Sequence, residues 1–369
     1  MKTLTLVHGA PERTAHLLHH AGLIDRFAGE IGPEHTLRRL DRCAGAGRSV
    51  FAAIATPSAV PTAREWSRGR RYGLRHICLG PRPPGLHDGE PVSPDPDPDG
   101  RAKRQTLRAR LLDGLAPAAV DFDRFSQVVV IGDIHGCDAT LAAFLDNGPA
   151  RSDTGYVFLG DYIAKGPSSA AVLRRLMDGY AGRDNVVMMA GNHETPLEAW
   201  VRGGRVRSRA FLDTVLPDFR AAGLDVAEAA AFTDPLVEAR WIRWRGYSIL
   251  ASHGGFDRVP ASLALLDSRT CRLGRPSNAR DIDAAWARNA SGAEADTLIQ
   301  VHGHHNPARR PVAAAPGAFN LEGGVEAGGA LRALVMTDTG GRCCFRTAQV
   351  PARDPISAFM RARAQRAAA

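Results

Sequence analysis

The sequence predicts an α/β protein, with a smaller N-terminal α/β unit followed by a larger α/β domain. Two observations support this reading. Apolar strand-like runs alternate with helical stretches on both sides of a Pro-, Asp- and Gly-rich break, and beyond the break five apolar runs end in a glycine-flanked Asp, Asn or His. Before the break, LTLV reads as a buried strand and a helix follows through Leu17 to Leu23. Val50 to Ile54 reads as a strand, Thr62 to Tyr72 as a helix and His76 to Leu79 as a strand. The stretch Pro81 to Gly100, PRPPGLHDGEPVSPDPDPDG, cannot sustain a helix or a central strand, because each proline removes a backbone donor, and it reads as a linker. Arg101 to Leu115 reads as a basic helix, and from Val128 onward strands and helices alternate. Ile356 to Ala369, rich in Ala and Arg, reads as a helix that frays. The implied division is 1–82 for the N-terminal unit, 83–122 for the linker and basic helix, 123–350 for the larger domain and 351–369 for the helical tail.

Composition narrows the class. Of 369 residues, 44% are hydrophobic and 23% charged, which excludes a disordered chain. No run approaches the roughly 20 apolar residues that cross a bilayer. The start, MKTLTLVHGAPERT, turns polar before a secretory hydrophobic region forms, so the expected compartment is the cytoplasm, without a membrane partner. The 6 cysteines show no CxxC spacing, and reduced thiols are expected. The net charge of +8 reads first as generic solvated surface charge and second as an electropositive cleft for phosphorylated substrates. Nucleic-acid binding is not indicated, because aromatics are only 6% of residues and no long Lys/Arg run is present. Oligomeric state is left open.

The chemistry begins at VVVIGDIHGCDATLAAFL, where β-branched residues form a strand suited to burial on both faces. Gly132 lets the chain turn, and Asp133 and His135 emerge at the strand's C-terminal end, where α/β sheets bind ligands. YVFLGDYIAKGP places Asp161 after a strand, and NVVMMAGNHE places Asn192 and His193 after another. SHGG follows YSILA and delivers His253, while LIQVHGHHNP delivers His304 with His302 and His305 as neighbours. Each motif alone is common, but their joint occurrence in order is not. This mixture of oxygen and nitrogen donors suits a pair of Mn, Fe or Zn ions rather than Ca or a thiolate-bound structural Zn.

These motifs resemble those of the calcineurin-like metallophosphoesterases, and specifically the phosphoprotein phosphatase branch, which includes bacterial protein phosphatases and symmetric diadenosine tetraphosphate hydrolases. The family pattern GDxHG, GDxxxxG, GNHE, HGG and GH is met by Gly132 to Gly136, Gly160 to Gly166, Gly191 to Glu194, His253 to Gly255 and Gly303-His304. Similarity runs from Phe125 to Val335, including AFNLEGGVEAGGALRALVM, which looks like the family's closing strand pair. The resemblance implies a sandwich of two mixed sheets flanked by helices. It also implies two divalent cations, Mn²⁺ first with Fe or Zn as alternatives, that hold a bridging hydroxide as nucleophile. Asp133 and His135 would bind one ion, Asp161 would bridge both, and Asn192, His253 and His304 would complete the other. His193 is the implied general acid.

Two departures matter. Where protein phosphatases read GDYVDRG, this chain has Gly160-Asp161-Tyr162-Ile163-Ala164-Lys165-Gly166. Ala164 replaces the Asp that pairs with the catalytic His. Lys165 replaces a phosphate-binding Arg, keeping the charge without the bidentate fork. The symmetric hydrolases carry Ala and a basic residue there, which tilts the substrate toward nucleotides, whereas GNHE and HGG look more like the phosphatases. Glu322 replaces a family Asp and is assigned no role. The Arg- and aromatic-rich segment between Glu194 and Ser252 is expected to supply helices rimming the cleft, with most of its arginines as plain surface and one or two as the alternative phosphate clamps.

The N-terminal unit, with LTLVHGAPERTAH and TAREWSRGRRYGLRHICLG, resembles P-loop kinases. Thr14-Ala15-His16 stand where Gly-Lys-Ser/Thr is required, so a kinase relic or an unrelated structural module, without ATP binding, is expected. The expected function is a two-metal phosphohydrolase acting on phosphomonoesters, with a nucleotide or phosphorylated small metabolite preferred. The alternatives are a symmetric dinucleoside polyphosphate hydrolase, a protein serine/threonine phosphatase, a polynucleotide-end phosphatase and, outside enzymes, a metal-stabilised interaction module.

Overall fold

The computed structural model describes residues 119–368, apart from 147, 149, 261, 264–265, 275–278, 291–295, 307–311 and 314, and, between residues 3 and 91, the strands and helices named below with a few neighbouring positions. The basic helix expected at Arg101 to Leu115, most of the linker, and Cys43 lie outside the described residues. The chain divides into two compact units, Met1–Ala118 with Pro260–Ser268, and Ala119–Val259 with Arg269–Ala369. Among the described residues no helix is long and apolar enough to cross a membrane.

The first unit is a five-stranded parallel sheet in the order β2-β3-β1-β4-β5. Its strands are β1 (Thr3–His8), β2 (Phe27–Glu30), β3 (Val50–Ile54), β4 (Gly73–Cys78) and β5 (Gly89–Pro91). The helices are α1 (Pro11–His20) and α2 (Val60–Gly69). Every side chain of β3 is buried, as expected of a parallel strand covered on both faces. α2 stops at Gly69 rather than running to Tyr72, since glycine loses more entropy in a helix than any other residue. Three linker residues form β5, a sheet-edge position where Pro91 is tolerated.

The second unit holds two five-stranded sheets, ordered β15-β14-β7-β8-β9 and β13-β12-β11-β10-β6. The strands are β6 (Val120–Asp121), β7 (Gln127–Ile131), β8 (Thr154–Phe158), β9 (Val186–Met188), β10 (Ala239–Trp244), β11 (Tyr247–Ser252), β12 (Leu298–His302), β13 (Ala318–Asn320), β14 (Ala330–Asp338) and β15 (Cys343–Pro351). Both sheets mix parallel and antiparallel pairs. β7 has no polar alternation because both its faces are covered. Val128 and Val130 enter the core shared with Ile242, Trp244, Ile249 and Val301 of the other sheet, whereas Val129 and Ile131 enter the core shared with the helices. Burial of each such side chain contributes roughly 1.5–3 kcal/mol.

The helices of this unit are α3 (Asp138–Phe144), α4 (Ser169–Gly179), α5 (Glu194–Val201), α6 (Leu216–Ala222), α7 (Val226–Thr233), α8 (Ser268–Leu273), α9 (Ala279–Asn289) and α10 (Ala358–Ala368). α7 opens with a capping box, Asp225 accepting from the Glu228 N–H and Glu228 from the Asp225 N–H. Two expectations are corrected. The closing strands do not pair with each other, because β13 joins β12 while β14 lies between β7 and β15. The chain between them, residues 321–329, therefore passes from one sheet to the other. No residue of the helices in the Arg-rich segment lines the cavity described below; Phe211, Phe219 and Trp244 of this segment are fully buried, and the Trp244 indole donates to Phe125 O at 2.9 Å, because large rings stabilise most when withdrawn from water.

Candidate metal centre

The C-terminal ends of β7, β8, β11 and β12, and the turn after β9, converge. Their loops are bent sharply. His135, Asp161, Ala164, Lys165 and His304 have φ of 50°, 52°, 73°, 68° and 70°, the left-handed region that costs a non-glycine residue energy and clusters at functional sites. The motif glycines have a local cause. A Cβ at Gly303 would lie 1.9 Å from Asp133 Oδ1, and one at Gly191 would lie 2.2 Å from Asp161 Oδ1, so each carboxylate packs against bare backbone.

Three groups of side chains have donor atoms within 4.8 Å of one another: Asp133, His135 and Glu322; His135, Asp161 and His193; Asp161, His253 and His304. Asp161 joins the last two groups, with Oδ2 at 3.6 Å from His135 Nε2 and Oδ1 at 3.4 Å from His253 Nε2. Asn192 Oδ1 is 3.2 Å from His253 Nε2, and the His304 N–H donates to Asp133 Oδ2 at 3.1 Å. All six expected ligands, and His193, are thus brought together.

Residues 126–330 match the calcineurin-like phosphoesterase family. The chain belongs to this family. Over 128 residues it is 40% identical to the symmetrical bis(5′-nucleosyl)-tetraphosphatase of Paracidovorax citrulli (strain AAC00-1), covering 34% of this chain and 42% of that protein. Over 163 residues it is 31% identical to the protein of the same name from Burkholderia mallei (strain SAVP1), covering 42% and 52%. The chain spans about half or less of the length of these relatives. Among solved structures, a protein serine/threonine phosphatase from Saccharomyces cerevisiae is similar at 15% identity and a TM-score of 0.41, covering 65% of this chain and 87% of that one.

Calcineurin-like phosphoesterases generally use two metal ions, and the donor set here fits a pair. The Nδ1–H of His253 donates to Leu159 O at 3.0 Å and that of His135 to Ile163 O at 3.4 Å, which leaves both Nε2 lone pairs facing the centre. His253 Nε2 then faces the Asn192 and Asp161 oxygens, acceptor against acceptor. Such a contact needs a cation between the atoms, either a proton or a metal. Buried Oε2 atoms of Glu322 and Glu326 also have no hydrogen-bond partner among the described residues.

Charge follows the same logic. Burial and the neighbouring Glu322 and Asp161 carboxylates raise Asp133 well above the usual carboxylate range. Burial pulls Asp161 upward, but His253, His193 and His135 outweigh it and hold Asp161 well below that range. Burial, with the Lys165 ammonium, pushes His135 down to about 3. Burial, with His253, pushes His304 down to about 3. Burial also pulls His253 down, but Asp161 and Glu194 outweigh it and raise it. His193 is lowered chiefly by burial, and among the described residues its ring accepts or donates no hydrogen bond to a carboxylate. The Ala164 departure removes such a partner.

Beyond these side chains lies a cavity of about 390 Å³ lined by Lys165, His304, Glu322 and Glu326 and by Met360 and Arg363 of α10. Lys165 Nζ is 2.8 Å from His135 Nε2 and 3.2 Å from Glu326 Oε1. Sequence reasoning assigned no role to Glu322 and overlooked Glu326, Glu194 and Arg363. Glu194 is wholly buried and accepts from the N–H groups of Gly191 at 2.7 Å, Asp161 at 2.9 Å and Tyr162 at 2.9 Å, which fixes one loop to another. Its place in GNHE was the available signal. Glu322 and Glu326 carried none beyond acids in a Gly-rich stretch. The arginines between 202 and 245 do not line this cavity, and several pair with carboxylates elsewhere, such as Arg245 with Asp338 at 3.0 Å.

Proposed function

We propose that this chain is a two-metal phosphohydrolase acting on phosphate esters of nucleotides or small metabolites, with Mn²⁺ as the preferred ion. The observation that carries this reading is Asp161, a single buried carboxylate common to two donor groups beside a cavity that contains Lys165. Asp133, His135 and Glu322 would hold one ion, Asn192, His253 and His304 the other, and Asp161 both. When bound, the pair supplies an activated water and polarises the phosphoryl oxygens. The remaining work belongs to the chain. Lys165 neutralises phosphate charge once it leaves His135 Nε2, and His193 protonates the leaving oxygen. Glu194 holds the Asp161 and Asn192 loops in register.

A second reading is cleavage of the phosphoanhydride in dinucleoside polyphosphates. Two observations favour it: relatives carry the name symmetrical bis(5′-nucleosyl)-tetraphosphatase, and the cavity is larger than one phosphate requires. A panel with Mn²⁺ tests both, using an aryl phosphate, mononucleotides, diadenosine tetraphosphate, a phosphopeptide and a 5′-phosphorylated oligonucleotide. Turnover of nucleotides supports the first reading, and preference for diadenosine tetraphosphate supports the second. Complete inertness with two metals bound would leave a metal-stabilised interaction module.

A further inference from the structure

The C-terminal segment is tied to the mouth of the metal centre. Asp354 accepts from the Ala139 N–H at 3.0 Å, the Thr140 N–H at 2.9 Å and the Thr140 hydroxyl at 2.6 Å, so it caps the first turn of α3 from the far end of the chain. Arg353 N–H donates to the Thr140 hydroxyl at 2.8 Å, and the Ser357 hydroxyl donates to the carbonyl of Lys165. Met360, Arg363 and Ala364, at the three- and four-residue spacing of one helix face, line the cavity.

Arg363 differs from Lys165, the other cation lining the cavity. Lys165 is held by Glu326, whereas Arg363 has no ion pair or hydrogen bond among the described residues. An unpaired guanidinium on a cavity wall is matched to a phosphate, which it can grip with two parallel hydrogen bonds. We propose that α10 forms the outer wall of the substrate site and that Arg363 binds a phosphate other than the one attacked, so that the site selects nucleotides carrying a polyphosphate chain. This inference rests on the phosphohydrolase reading and deepens it. The metal centre takes the reacting phosphate, and the cavity extends from there to Arg363.

The test uses the full chain loaded with Mn²⁺ and compares p-nitrophenyl phosphate with diadenosine tetraphosphate. Arg363→Ala should lower kcat/KM for the polyphosphate roughly 10- to 100-fold, mainly through KM, as expected for one lost charge-assisted contact, and affect the aryl phosphate far less. Arg363→Lys should recover part of the loss, and Arg366→Ala, on the same helix but outside the cavity lining, should behave as wild type. Equal losses on both substrates, or no loss on either, would overturn the proposal. If the unaltered chain hydrolyses neither compound, the hydrolase reading passes to the full substrate panel. The subsite is then judged by the Kd of adenosine 5′-(β,γ-imido)triphosphate in calorimetry, where weakening by Arg363→Ala supports it and an unchanged Kd removes it.

Discussion

The floor and the rim of the site are assembled differently. Floor residues stand at strand ends of two packed sheets, with Asp133, His135, Asp161 and His253 buried, and have ring orientations set by backbone carbonyls such as Leu159 O. Rim residues come from a left-handed turn (Lys165), a segment crossing between the sheets (Glu326) and a C-terminal helix (Arg363). Burial makes the floor intolerant, because every removed partner leaves an uncompensated charge or donor. In the rim Glu326 is buried, Lys165 is partly buried and Arg363 is exposed, and each of their contacts is separable. On the proposed function, chemistry would belong to the floor and selectivity to the rim.

The largest effect should come from Asp161→Asn, which removes the shared charge. Metal content by elemental analysis should fall, and activity should drop by more than the roughly 10- to 100-fold typical of a group one layer away from a metal. Retention of two equivalents of metal would break the assignment of Asp161. His193→Ala should lower kcat about 10²- to 10⁴-fold with metal content unchanged, and lost metal would instead make His193 a ligand. Glu322→Gln should weaken metal affinity roughly 10- to 100-fold, read by competition with a chelating dye. Normal affinity would move Glu322 from floor to rim. The smallest of these effects belongs to the rim, where Lys165→Ala should raise KM for phosphate substrates about tenfold with little change in metal content.

A pH experiment sharpens the same contrast. Asp133 and Glu322 are raised chiefly by burial, and Glu194 is raised to about 7 by burial and Asp161. A folded-state carboxyl held above its unfolded value contributes stability that is complete below the unfolded value of about 4 and is lost as pH rises through the folded value. Asp161 and Glu326 are shifted the other way, so their contributions are already present throughout that window. His135 and His304, pushed down to about 3, gain stability as pH rises over the same window, so the carboxyl contribution is read by difference: the change in Tm that Glu194→Gln causes in the metal-free protein should be more favourable at pH 8 than at pH 5. A pH-independent Tm shift would contradict this floor electrostatics.

Much of the floor was legible beforehand because strand, glycine and ligand are neighbours in sequence. Asp133, Asp161 and His253 each follow an apolar run within two residues, and the helix or loop after each run begins where glycine interrupts it. The rim was not legible. Glu326 and Lys165 are 161 residues apart, and Asp354 meets Thr140 across 214, so neither pairing leaves a local pattern. Burial of the aromatics after Glu194 was hidden for the same reason, since periodicity shows that a face is apolar and not what covers it.

Sequence alone determined the strand ends, the donor chemistry and the family, because a motif's residue types and spacing are local properties. Tertiary structure decided that β13 and β14 belong to different sheets. The crossing between them carries Glu322 to the ligands and Glu326 to Lys165, while Asp354 and Ser357 bring α10 to the cavity. Those contacts depend on which surfaces pack together, a property of the whole chain's burial rather than of any segment.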